Sequence, residues 1–146
     1  MIAAFAPGIF SLDGTGSGQG AVEIAPGPEV AGGMGSYLWA SMNYGGQPVQ
    51  RGQYISIFST GLGPVSNQPA TGAPASASPL SVTSTQPTVT LGGVPAQVTF
   101  SGLAPGFVGL YVVNAQVPSS APSGAAVTLN MTIGGVTSNT VTIAVQ

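Results

Sequence analysis

Hydrophobic positions in this chain recur at every second residue, in short runs separated by glycine and proline, which is the period of β-strands and not of helices. Val89, Leu91, Gly92-Gly93, then Val94, Ala96, Val98 and Phe100 form two alternating runs around a two-residue turn, which predicts a tight hairpin. Val127, Leu129, Met131 and Ile133 run into Gly134-Gly135, and Val141, Ile143 and Val145 leave, predicting a second hairpin with a longer Ser/Thr-rich return. Tyr111, Val113, Ala115 and Val117 alternate up to Pro118, which lacks the N–H needed to continue a ladder. Ile55 and Ile57 alternate with Tyr54, Ser56 and Phe58 before Gly61-Leu62-Gly63-Pro64 turns the chain, and Ala21 to Ala25 reads as a strand ending at Pro26. Six or seven strands are expected after residue 50. Their turn signals, roughly 8–12 residues apart, follow the pattern of a β-sandwich.

Two stretches depart from this rhythm. Residues 66–88 are rich in Ala, Ser, Thr and Pro with little periodicity and read as a long surface connection, or as a patch bearing O-linked sugars. Residues 32–47 gather Tyr37, Leu38, Trp39, Met42 and Tyr44 between glycine-rich flanks and fit either a strand or one helical turn. Tyr37, Trp39 and Tyr44 suit core or interface packing, with a sugar-stacking surface as the sharper alternative.

The composition narrows the chemistry. Among 146 residues there is one Arg, no Lys, three acids, no His and no Cys, for a net charge of −2, while 43% belong to the hydrophobic set. The length suits one domain with a true core, and mean hydropathy of +0.42 opposes disorder. A lone Arg51 cannot form the basic stripe that nucleic acid requires, and no run approaches the roughly 20 apolar residues of a membrane helix. The opening Met1–Gly8 stretch lacks a cationic start and breaks early, so it reads as a chain whose leader has been removed or as a piece of something longer. Without His, Lys or Cys there is no base to activate the many hydroxyls and no thiolate metal site, so no enzyme, cofactor or metal is expected.

The motifs fare no better as reagents. Asp13-Gly14-Thr15-Gly16-Ser17-Gly18-Gln19-Gly20 is followed by a strand where a dinucleotide loop needs a helix, and it has too few carboxylates for calcium, so a hairpin turn is expected. Asp13, Glu23 and Glu29 lack the spacing of an acid–base pair and read as solvated surface acids. Asn130-Met131-Thr132 is one glycosylation sequon on the outward face of a strand, a weak signal.

Ala6-Pro7-Gly8-Ile9-Phe10, Arg51-Gly52, Thr60-Gly61-Leu62-Gly63, Val89-Thr90-Leu91-Gly92-Gly93-Val94-Pro95-Ala96, Gly102-Leu103-Ala104-Pro105-Gly106-Phe107 and Ile133-Gly134-Gly135 occur together across almost the whole chain. In combination they resemble the uncharacterised C-terminal domain of large secreted acidobacterial proteins, itself similar to the IPT/TIG immunoglobulin-like fold. The resemblance implies an extracellular or cell-surface protein, with no catalytic residues carried over. The expected fold is an all-β, immunoglobulin-like antiparallel β-sandwich with an additional N-terminal β region. It is a single domain over 1–146, with first strands in 1–50 and an IPT/TIG-like core in 51–146.

Open sheets expose unpaired N–H and C=O groups at their borders, and this chain has almost no charge with which to block them. Self-association is therefore expected. Ile2, Ala4, Phe5, Ile9 and Phe10 are the candidate assembly residues, with residues 1–6 as a donor strand completing a neighbour's sheet or, equally, as the first strand of their own domain or the tail of a linker. Head-to-tail repetition gives a homopolymer, so the leading expectation is a structural subunit of an extracellular filament. The alternative is a secreted adhesive or carbohydrate-binding module with glycans as partners.

Overall fold

The computed structural model describes residues 4–27 and 38–146, all of them strand, turn or irregular, with no helix among them. Nine strands are present among the described residues: β1 (Gly8–Ile9), β2 (Val22–Ala25), β3 (Tyr54–Thr60), β4 (Thr88–Leu91), β5 (Val94–Leu103), β6 (Tyr111–Gln116), β7 (Gly124–Ile133), β8 (Val136–Thr137) and β9 (Val141–Val145). Seven begin after residue 50. Every strand pair is antiparallel.

One hydrogen-bonded path, β1-β3-β6-β5-β4-β7-β8, runs through the sheet, with β2 also on β3 and β9 also on β7. β5 carries the path around a corner: Val94 to Ala96 pair with β4, Gln97 to Leu103 pair with β6, and the register shifts between Val98 and Phe100. A bulge at such a point adds twist and lets one strand serve both halves. The far ends then approach each other. Ala40 receives the Ala144 N–H and gives its own to Val22 (both 2.9 Å), so a single residue bridges β9 to β2 and the sheet is nearly closed, like a barrel.

The predicted hairpins form where the glycines demand them. Gly92 and Gly93 take φ of +59° and +81°, as a primed two-residue turn requires, and join β4 to β5. Gly134-Gly135 makes an equally tight turn, but into the two-residue β8, and β9 returns beside the first half of β7, with Thr128 opposite Thr142. Residues 66–87 hold no strand, although Ala75, Val82 and Thr83 make isolated bridges.

Alternation sorts the side chains. Ile55 and Ile57 face the main core, with Ile9, Val22, Val113, Leu129, Met131 and Ile143, while Phe58 faces the other side and packs with Ala104, Val112, Trp39, Phe100 and Leu110. Both faces of β3 are thereby buried.

Candidate assembly site: the N-terminal segment and its slot

The segment Ala4–Phe10 lies in a slot built from two distant parts of the chain. On one side the Ala6 N–H donates to the Gly61 carbonyl (3.0 Å), Gly8 and Ile9 pair with Thr60 and Ser59 of β3, and the Phe10 N–H donates to the Phe58 carbonyl (3.1 Å). On the other side stands the return after β8. The Asn139 side-chain amide accepts the Ile9 N–H at 2.7 Å and donates to the Ile9 carbonyl at 2.9 Å and to the Gly16 carbonyl at 2.7 Å. A carboxamide carries the same donor and acceptor as a peptide unit, so one side chain completes the ladder that a neighbouring strand would otherwise supply.

Glycines give the slot its depth. A Cβ on Gly134 would lie 2.2 Å from the Phe5 ring, one on Gly63 would lie 2.8 Å from it, and one on Gly61 would lie 1.9 Å from the Ala6 carbonyl oxygen. No other residue admits Phe5 and Ala6 so closely. The Tyr111 hydroxyl donates to the Gly63 carbonyl (2.6 Å) and holds that wall in place.

Of the candidate assembly residues, Phe5 packs on its own core and Ile9 is buried in it, Ala4 and Phe10 are exposed, and Ile2 lies outside the described residues. The first strand thus belongs to its own sheet here. The open borders expected from the scarcity of charge are filled in large part by the chain itself. Besides Asn139 on β1, Leu38 and Ala40 bond to β2, Gly18, Gly20, Ala40 and Val49 bond to β9, and Ser81 and Thr83 bond to β5. The long connection near residue 80 therefore covers an edge.

Glu23 corrects the sequence reading. Expected as a solvated acid, it is 5% exposed, between Ser56 of β3 and Trp39, which bridges to it on the outer side of β2. Burial pushes its carboxyl up to about 7, and Oε2 has no hydrogen-bond partner among the described residues. It stands in a cross-strand row with Ser56 and Asn114, whose side chains share a 2.8 Å hydrogen bond. Asp13 is exposed and held below its ordinary value, first by the Thr15 N–H and then by the Thr15 and Ser11 hydroxyls. Its loop is the expected turn, closed by a bridge between Ser11 and Gly20. Glu29 lies outside the described residues.

Tyr37 also lies outside them. Trp39 is half-buried in the small outer cluster, whereas Tyr44 is 55% exposed on the same loop. Asn130 is half-buried opposite Thr90, whose hydroxyl it accepts. A shallow groove of about 530 Å³ runs between Gln86–Thr90 and Pro95–Val98, with no charged lining residue.

The importance of Asn139 was not legible in the sequence, because its partner is 130 residues away. The hint lay in an Asn within a return that otherwise reads as exposed loop. The chain matches no family model, no characterised protein and no solved structure. The resemblance to the secreted acidobacterial domain rests on the quoted motifs alone.

Proposed function

We propose that this chain is a non-catalytic structural subunit of an extracellular filament, an immunoglobulin-like module of the cell surface whose copies join by β-strand contacts. The observation that carries the reading is the seating of Ala4–Phe10, with Gly8–Ile9 as a strand, in a slot made by remote residues, since such a segment can be supplied by another copy. The scarcity of charge and the exposure of Phe10, Met42 and Val108 support self-association. The absence of His, Lys and Cys from the sequence supports a role without catalysis. Electron microscopy of native material tests it: ordered fibres are expected, and monodisperse single particles at high concentration overturn it.

A second reading, an adhesive or carbohydrate-binding module, is favoured by the exposed Tyr44 and by the neutral groove with Gln86, Thr88 and Gln97. Uncharged amides and hydroxyls beside apolar surface suit a neutral glycan. Binding on a glycan array that is lost in Tyr44→Ala or Gln97→Ala supports this reading.

A further inference from the structure

Strand addition needs a vacant border, and the borders of β1, β2, β5 and β9 are met by the chain's own residues. On the filament reading, on which this inference rests, a neighbour's strand enters most readily where a resident one leaves, because the remaining terminal strand, β8, is only two residues long. One segment has the requirements for leaving. Ala4–Phe10 is joined to β3 by a two-residue strand and two flanking backbone bonds, and its other side is held by Asn139 and by the Ala21 N–H, which donates to the Phe10 carbonyl (2.7 Å). It is tied to the rest of the fold by residues 11–19, an exposed loop containing Gly14, Gly16 and Gly18.

We propose that Ala4–Phe10 is exchanged between copies. Phe5 of one molecule would enter the pocket over Gly63 and Gly134 of the next, and its Ile9 would be taken by that molecule's β3 and Asn139. The occupant is a second copy of this chain, because the slot is already shaped to this segment: three glycines leave the space for Phe5 and Ala6, and Asn139 reads the backbone of Ile9. Every contact of the closed monomer recurs between molecules, so exchange alters chiefly the loop and the entropy of association. Passed head to tail, it makes an open chain; made reciprocally between two molecules, it closes.

The test uses the full chain, which has no cysteine of its own. Gly8 and Thr60 face each other in register, and a Cβ on Gly8 would lie 3.4 Å from Thr60 Cγ2, which suits a disulfide between facing strands. The double variant Gly8→Cys/Thr60→Cys is concentrated to assembly conditions, oxidised with diamide and run on a non-reducing denaturing gel, with native material imaged in parallel. A ladder of covalent multimers is expected. Dimers alone keep the exchange and overturn the filament. Covalently closed monomers from visible fibres overturn the exchange and leave the filament standing, and closed monomers without fibres overturn both. Should the double variant fold poorly, the single variants Gly8→Cys and Thr60→Cys are mixed and oxidised. Exchange yields the mixed disulfide as the main product, well above either variant oxidised alone, and equal yields in all three overturn it.

Discussion

The side chain of Asn139 holds both backbone groups of Ile9, accepting its N–H at 2.7 Å and donating to its carbonyl at 2.9 Å. An amide at the end of a side chain thus acts as the neighbouring strand of a buried residue. Its second Nδ2 hydrogen reaches the Gly16 carbonyl, so the same group ties the N-terminal segment, the glycine-rich loop and the return after β8 at one point. Asn139→Ala is expected to cost about 1–3 kcal/mol in urea denaturation, since it leaves the Ile9 N–H without a partner. Amide exchange of Ala6 and Ile9 should accelerate far more than that of Leu129.

Gly134→Ala should displace Phe5, because the new methyl occupies the ring's space and Gly134 has a φ of +57°. A loss of about 1–3 kcal/mol is expected. In a Phe5→Ala background the same change should cost less, with a coupling of at least about 0.5 kcal/mol in a double-mutant cycle. Simple additivity would show that the ring is not in that pocket.

The buried Glu23 makes stability depend on pH in a definite direction. Its folded value of about 7 lies above the ordinary 4.5, so between those limits the folded state keeps a proton that the unfolded chain has lost. Its contribution is complete below about pH 4.5, declines as pH rises through 7 and is lost above. Glu23→Gln should match the parent at pH 4 and exceed it at pH 8 by up to about 3 kcal/mol, read from denaturation midpoints.

Leu129 is fully buried where β7 is flanked by β4 and β9, and Thr128 beside it is exposed. Leu129→Ala should cost about 2–5 kcal/mol, whereas Thr128→Ala should stay within about 0.5 kcal/mol. Comparable losses at both positions would mean that the alternation along β7 is wrong.

The β-character of the chain was legible because alternation and glycine turns are local signals. The Gly92-Gly93 hairpin and the strand ended by Pro118 follow directly from neighbours in sequence. What the sequence concealed was non-local. Nothing around Ala40 marks it as the link between β2 and β9, and nothing around Glu23 reveals that Trp39 lies across it. The candidate site was half visible: Phe5 and Ile9 stand out as apolar residues on either side of the Pro7-Gly8 break, but the pocket that receives them is assembled from Gly61, Gly63, Gly134 and Asn139, each of which reads as an ordinary turn residue by itself.

With Glu23 withdrawn from solvent, the ionised side chains on the described surface are Asp13 and Arg51, one of each sign. With a net charge of only −2 over the whole sequence, contact between two such molecules gives dissolved salt little to screen, so ionic strength should hardly influence it. Contacts beyond the exchanged segment, through exposed side chains such as Met42 and Val108, rest on the reluctance of water to wet apolar surface, which weakens as the temperature falls. Those contacts should accordingly tolerate brine and loosen in the cold.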